Sequence, residues 1–282
     1  MTTSILLPII LFILVAAFLY WQLVLAEGAY FGPRVVALLY DLVARRYNHI
    51  KQYTAEDDAH FLGIPLSASL IGSFQPLVLD VATGTSRLPL ALFSQPNFHG
   101  RVIALDNARR MLHEATQYAA AHRDRIAWVW HHAVPLPFAD NAFDAVTCLE
   151  ALEFMPDTRA ALIECIRVLK PGGLLLVTNR VGRGAHLMPG KTMSKARFKA
   201  LLKSLGQTDV TLQIWQYDYD LAWSLKPGAD ISNDVTDRLT DPIEALRCPR
   251  CHSRLDQIDG AFMCASCARR FPIGNDGVLE ML

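Results

Sequence analysis

Apolar and polar positions alternate along this chain with three different rhythms. Residues 5–26 form one unbroken apolar run, with no charged side chain and Gln22 as its one strongly polar member. Wound as a helix, twenty-two residues rise roughly 33 Å, enough to cross a hydrocarbon layer of about 30 Å. Pro8 falls in the first turn, where a missing N–H costs little. Tyr20, Trp21, Tyr30 and Phe31 gather at the far end, as interfacial aromatics do. A buried core helix would show a polar face, and this run has none. A cleaved signal peptide competes, because Val24-Leu25-Ala26 passes as a small-residue cleavage site. Against it, the run is too long and Met1-Thr2-Thr3-Ser4 carries no positive side chain. The expectation is a membrane anchor over residues 1–26. No basic residue precedes the run, whereas Arg34, Arg45, Arg46 and Lys51 follow it, which predicts the N-terminus outside and the body in the cytoplasm.

Beyond the anchor the rhythm turns helical, then alternates. Val35, Val36, Leu38, Leu39, Leu42 and Val43 recur at helical spacing, which predicts an amphipathic helix over about 32–50. Apolar strands are predicted at 77–81, 101–106, 126–130, 145–149 and 174–178. Helices are predicted at 87–93, 108–121, 158–169 and 195–205, and closing strands at 210–215 and 221–225. Lys170-Pro171-Gly172-Gly173 reads as a stop and turn between helix and strand. Strands alternating with helices predict an α/β fold, a Rossmann-like parallel sheet covered on both faces. That domain is expected over 27–228, with a linker over 229–244 and a small cysteine module over 245–282.

Composition adds little and excludes one class. The 282 residues carry 27 basic and 27 acidic side chains, so the basic footprint of a nucleic-acid binder is missing. From Ala245 onward, Arg247, Arg250, Arg254, Arg269 and Arg270 face Asp256, Asp259, Asp276 and Glu280, a balance of about +1. Nucleic acid is therefore not an expected partner.

The candidate chemistry sits where strands end. In a doubly wound sheet, ligands bind beyond the carboxyl ends of the strands. Asp80 lies near the end of the first strand, followed by the small-residue turn Ala82-Thr83-Gly84-Thr85-Ser86. Asp106 ends the second strand, 22 residues beyond Gly84, where an acid can accept from ribose hydroxyls. A dinucleotide site would want G-x-G-x-x-G facing a diphosphate. Here the small residues fall at 82, 84 and 86, and the Asp80 carboxylate beside them would repel a diphosphate but suit an ammonium group.

On these residues the chain resembles the class I S-adenosylmethionine (SAM)-dependent methyltransferases, in particular the ubiquinone/menaquinone C-methyltransferase branch. Four motifs carry the resemblance, over about 40–225. They are Val78 through Ser86; Ile103-Ala104-Leu105-Asp106 with Met111-Leu112; Leu136 through Asp144; and Arg167 through Gly173. Tyr40-Asp41 and Tyr47-Asn48 match the family's helix over the cofactor. The resemblance implies that Asp80 and the backbone of Ala82, Thr83 and Gly84 hold the methionine end of SAM. It implies Asp106 and Asn107 at the ribose, Met111, His132 and Ala133 near the adenine, and Leu149 with Glu150 at the mouth for transfer. The chain departs from the family at Ala82 and Ser86, where glycines are usual and where an added methyl or hydroxymethyl is tolerable if φ stays negative. His131-His132-Ala133 replaces Gly-Asp-Ala, and Phe154 replaces a frequent His. No catalytic base is assigned; His132, His186, Tyr217 and Asp218 are candidate proton acceptors.

Four of six cysteines form Cys248-x-x-Cys251 and Cys264-x-x-Cys267. Two such hooks at this spacing predict one tetrahedral Zn²⁺ on four thiolates, with metal supplying folding energy to a small core. Two disulfides are the rival, disfavoured for a body in a reducing compartment. Cys148 and Cys165 read as inert core residues. The module resembles the short zinc-ribbon proteins that bind and activate RNA and protein methyltransferases. Three functional readings follow: methylation of a lipophilic small molecule (quinone precursor, phenol, thiol or lipid) at a membrane, methylation of RNA or protein guided by the ribbon, or a SAM-binding scaffold without catalysis.

Overall fold

The computed structural model describes residues 2–73, 75–228 and 242–282, so most of the expected linker lies outside the described residues. The apolar run is helical. Helix α1 (Thr2–Tyr20) passes into a π-helical turn over Trp21–Leu25. The resulting span Leu6–Leu25, 20 residues near the N-terminus, is long and apolar enough to cross a membrane. Its side chains stand exposed, Leu7 at 72% and Phe12 at 73%.

The helix expected over 32–50 is broken in two: α2 (Pro33–Val43), a 3₁₀ turn at Ala44–Arg46, and α3 (Tyr47–Lys51). The tightened turn brings Tyr40, Ala44 and Tyr47 together over Ala108 and Met111. Two short helices follow, α4 (Ala55–Asp58), capped by the Thr54 side chain, and α5 (Ile64–Ser69).

The alternating half of the chain then builds β1 (Leu77–Val81), α6 (Arg87–Phe93), β2 (Arg101–Asp106), α7 (Arg109–Tyr118), β3 (Ile126–Trp130) and β4 (Phe143–Cys148). It continues with α8 (Thr158–Val168), β5 (Leu169–Arg180), α9 (Gly182–His186), α10 (Lys195–Ser204), β6 (Thr208–Gln216) and β7 (Tyr219–Leu225). The C-terminal part holds α11 (Pro242–Ala245), β8 (Leu255–Ile258), β9 (Ala261–Cys264), β10 (Arg270–Pro272) and β11 (Val278–Glu280).

One turn moves. Lys170–Gly173 lies within β5 rather than before it: Phe143 pairs with Leu169 and Ala145 with Leu174, so these residues bulge from the ladder. Gly172, at φ 77°, makes the bend. Its N–H donates to the Lys226 carbonyl, and the Lys226 N–H donates back to Gly173.

The main sheet has eight strands in the order β11-β3-β2-β1-β4-β5-β7-β6. The first six run parallel, β7 runs against β5, and the edge strand β6 runs against β7 and so points the same way as the first six. The sequence order of the strands reverses between β1 and β4, the switch point where a ligand crevice opens. Alternation along β1 sends Leu77, Leu79 and Val81 to one face, against Leu162 of α8 and Phe198 of α10. Val78 goes to the other face, with Leu66 of α5, Leu92 of α6 and Leu112 of α7. Helices therefore cover both faces, as the alternation requires.

The C-terminal module is not a separate body. Strands β8, β9 and β10 form their own small sheet, but Leu246, Phe262 and Phe271 pack into the first of these cores. Strand β11 joins the main sheet, pairing Val278, Leu279 and Glu280 with Trp128, Val129 and Trp130. Hydrogen bonds Ala139 N–H to Ala245 O (2.9 Å) and Arg247 N–H to Pro137 O (2.8 Å) cross the boundary expected at 245. Arg109 closes the seam with a paired contact on Asp276, 2.8 Å at each oxygen, and a longer one on Glu280.

Candidate functional site

Beyond the ends of β1, β2 and β4 lies a cleft of about 930 Å³, partly open to solvent. A smaller space of about 380 Å³ adjoins it on the Asp80 side. Asp80 and Thr83 line the smaller space. Ala82, Gly84 and Leu149 line both, and Asp106, Asn107, Met111, His132 and Ala133 line the larger. All ten residues expected at the cofactor thus converge.

The turn after β1 is strained. Ala82, Gly84 and Ser86 have φ of 57°, 57° and 74°, so the negative φ under which a Cβ at 82 and 86 costs nothing is not what the chain adopts. A left-handed conformation costs a residue with a Cβ about 1–2 kcal/mol. Surrounding bonds enforce it: Thr83 N–H donates to Leu105 O at 3.0 Å, and Gly84 N–H to Asp106 Oδ2 at 2.8 Å. Alternate left-handed residues curl the backbone into the shallow cup that Asp80 and Asp106 flank.

Both acids are buried. Asp80 accepts from the Thr147 hydroxyl at 2.7 Å, and burial pushes its carboxyl up to about 6. Asp106 accepts from the backbone N–H of Ala108 as well as Gly84. Burial likewise pushes it up to about 6, against the pull of those N–H donors. Each carboxylate oxygen has a second lone pair for a ligand. Neither acid has a cationic side chain bonded to it among the described residues, so each is poised for a ligand's donors.

At the far end, Met111 is buried beneath the cup, and an added methyl at Gly84 would lie 3.6 Å from its Cε. The His132 Nδ1 is buried and makes no hydrogen bond within the described residues. Burial, then the nearby Arg34, lowers its pKa, so the ring stays neutral and its free nitrogen can accept one hydrogen bond. His131 instead turns inward, its Nδ1 2.9 Å from the His132 carbonyl.

Of the paired motif Tyr40-Asp41 and Tyr47-Asn48, both tyrosines line the cleft. Asp41 accepts from the Arg110 N–H at 2.7 Å, at the start of α7, and Asn48 Oδ1 accepts from Thr85. Tyr40 and Tyr47 meet with tilted rings whose centres are 5.8 Å apart, and Tyr40 meets Phe154 edge-on at 5.9 Å. The Tyr40 hydroxyl donates to Glu27, and burial pushes that phenol well up, which makes it a donor rather than a base.

Several lining groups carry no signal in the sequence. Pro33, Val36, Met155 and Pro156 add apolar lining to the cleft, yet none belongs to a chemistry-bearing motif. Glu150, at φ 51°, is the hub of a network. It pairs with Lys51 at 3.1 Å and with Arg87 at 2.6 Å, and Arg87 also reaches Asp58. The Tyr53 ring lies 3.6 Å from that guanidinium and the Trp215 ring 4.5 Å. Of the four candidate proton acceptors, only His132 lines the larger cleft. His186 is exposed on α9, while Tyr217 (76% exposed) and Asp218 border a separate surface hollow at the β6–β7 turn.

The four hook cysteines meet. Their sulfurs all lie within 4.8 Å of one another, with Cys248–Cys267 at 3.6 Å and Cys251–Cys264 at 3.3 Å. A tetrahedral ZnS₄ centre with 2.3 Å bonds would hold its sulfurs about 3.8 Å apart, so the set fits that ion. The two hooks turn alike: His252 and Ala268 follow their second cysteines at φ 58° and 55°, and each donates its N–H to the carbonyl of the first cysteine. Cys148 and Cys165 are buried in the core, and burial holds both thiols protonated.

Residues 79–177 match a methyltransferase domain family, and residues 243–276 match the Trm112p-like protein family. Curated relatives include the demethylmenaquinone methyltransferase of Mycolicibacterium paratuberculosis, 38% identical over 52% of this chain and 60% of that protein. The ubiquinone/menaquinone biosynthesis C-methyltransferase UbiE of Roseobacter denitrificans is 38% identical over 42% of this chain and 46% of its own. The chain spans about half the length of the curated relatives it matches. Among solved structures, a complex of the Haloferax volcanii Trm112 methyltransferase activator and a methyltransferase superposes with a TM-score of 0.51 at 18% identity, covering 67% of this chain and 98% of that one. The cyclase SpnF superposes with a TM-score of 0.53 at 20% identity, covering 70% and 98%. At these identities the superpositions establish the class I fold alone, and a fold shared with a cyclase does not select a reaction.

Proposed function

We propose that this chain, which carries a methyltransferase domain and a Trm112-like zinc-ribbon domain, transfers a methyl group from SAM to a lipophilic small molecule while anchored at a membrane. One observation carries the reading: the buried acids Asp80 and Asp106 flank a left-handed backbone turn beside a cleft to which Pro33, Val36, Met155 and Pro156 give apolar lining. When bound, SAM supplies an electrophilic methyl on a sulfonium.

The protein's part is to place and shield. Asp80 holds the ammonium of the methionine end, with the Ala82–Gly84 backbone beneath it. Asp106 accepts from the ribose, and its two backbone bonds fix its plane. Met111 and Ala133 would line the place of the adenine, and neutral His132 would accept from its amino group. Tyr40, Tyr47 and Phe154 roof the cleft and exclude water, so the acceptor is brought into line by shape. Proximity of this kind lowers a barrier by about 7–11 kcal/mol, and no side chain is assigned as base. Pro33, Val36, Met155 and Pro156 favour an apolar acceptor, which agrees with the quinone methyltransferases among the relatives and with an anchor that keeps the cleft near lipid.

Cys248, Cys251, Cys264 and Cys267 would hold Zn²⁺, which supplies folding energy to the ribbon. The ribbon then braces α7 through Asp276 and Arg109.

Purified protein incubated with methyl-labelled SAM and separate lipid, RNA and protein extracts tests the assignment. Label is expected in the lipid fraction. Label in RNA or protein instead would overturn the acceptor class, and no label with no SAM binding by calorimetry would overturn the enzyme.

A further inference from the structure

Helix α2 has an apolar face that the described chain covers only at its middle. Leu38 is 58% exposed, Leu42 66% and Val43 39%. At 100° per residue these three, with Val35 and Leu39, fill an arc of about 140°. The middle of that arc touches the turn that leaves α1: a methyl added at Gly28 would lie 2.9 Å from Leu39 Cδ1 and 3.2 Å from Val35 Cγ1. The uncovered face therefore looks toward the side from which the apolar span emerges. Arg34 stands exposed in the first turn, and Arg45 and Arg46 follow the last. Arg45 has only a 3.8 Å contact with Glu114. The remaining faces are committed, with Val36 and Tyr40 lining the cleft and Asp41 bonded to the Arg110 N–H.

We propose that α2 lies flat in the membrane interface, its leucine face among the acyl chains and its flanking arginines on anionic lipid headgroups. An apolar stripe bordered by arginines is the composition such a surface binds. Continuity supports a bilayer rather than a protein partner, since only Ala26–Gly32 separates α2 from the π turn that ends the apolar span. Trp21 and Tyr30 clamp that connection to the body through the Leu187 and Pro189 carbonyls, both at 2.8 Å. Because Pro33, Val36 and Tyr40 line the cleft from another side of this same helix, the cleft then lies beside the bilayer. A lipid-dissolved acceptor then enters past α2 without crossing water. The proposal rests on the membrane-anchored reading above.

The test uses full-length protein, one copy per nanodisc, in phosphatidylcholine with or without phosphatidylserine. An environment-sensitive fluorophore is placed by Leu14→Cys in α1, Leu42→Cys in α2 or Tyr118→Cys at the end of α7, with the zinc-loaded parent chain as the labelling blank. Lipid-borne quenchers should quench positions 14 and 42 several-fold more than position 118. Arg45→Glu with Arg46→Glu should reduce quenching at 42 in the phosphatidylserine discs and leave position 14 unchanged. Quenching at 14 with none at 42 overturns the role of α2 and leaves the anchor standing. Quenching at 42 with none at 14 supports α2 and overturns the anchor. A charge-reversed variant quenched like its parent overturns the headgroup contact.

Discussion

Replacing Asp80 by asparagine keeps the shape of the methionine end of the cleft and removes its charge. The side chain is 2% exposed, takes one hydrogen bond from the Thr147 hydroxyl at 2.7 Å and has its carboxyl pushed up to about 6 by burial. At about pH 7.5 the group is therefore ionised, buried and without a cation. A ligand ammonium meets it in a poorly solvated place, where a charge-assisted hydrogen bond contributes about 1.5–3 kcal/mol. Asp80→Asn should accordingly weaken SAM binding about 10- to 150-fold. Titration calorimetry across pH adds the sign. Below about 6 the wild-type carboxyl is protonated, so its affinity for SAM should fall up to tenfold per unit on acidification, and the asparagine variant should lose that component. Stability of the ligand-free protein runs the other way. A carboxyl whose folded pKa stands above its unfolded value favours folding at low pH, and that contribution disappears as pH rises through about 6. Asp80→Asn should then melt no lower than wild type at about pH 7.5. SAM binding within twofold of wild type, with wild-type affinity flat from about pH 5 to 7.5, would refute the role given to this acid.

Arg109→Ala should cost about 1–2 kcal/mol, since Arg109 and Asp276 are only partly shielded from water. Fluorescence of Trp128 and Trp130, which face β11 across the ladder, should report the earlier release. Arg109 holds the Asp276 carboxyl well below the usual carboxylate range, so this contribution is present above about pH 4 and fades on further acidification. An Arg109→Ala melt unchanged at neutral pH would contradict the seam. Metal analysis should find one Zn²⁺ per chain, and chelation should lower the melting temperature; a metal-free chain of unchanged stability would argue against a structural ion. Gly84→Ala has room for its methyl but sits at φ 57°, so it should lose about 1–2 kcal/mol in thermal melts. Ala82→Gly, at the same φ, should be neutral or stabilising, and the opposite order would show that the turn is not strained as described.

What was legible in the sequence was whatever local spacing controls. The strands at 77–81, 101–106 and 126–130 stand where their apolar runs predict. Asp80, Asp106 and the four cysteines are tied to short motifs, and they meet as expected. Long-range pairing was not legible. Val278-Leu279-Glu280 is too short to show a period, and its partner lies far back in the chain. Glu150 shows no sign of its hub role, because Lys51, Asp58 and Arg87 come from three separate elements. The left-handed turns at Ala82 and Ser86 escape for a different reason. Propensity places glycine there, and only the bonds from Gly84 and Thr83 to β2 force other residues into that shape.

The position of β11 also sets an order of events during synthesis. Strand β3 leaves the ribosome roughly 150 residues before β11, and domains begin folding from the N-terminal side. Until those later residues arrive, β3 is the bare rim of a growing sheet, with Trp128 and Trp130 on it. An uncovered rim of this kind recruits stray strands. Late delivery of β11 therefore makes folding of the cysteine module and final closure of the sheet parts of a single event.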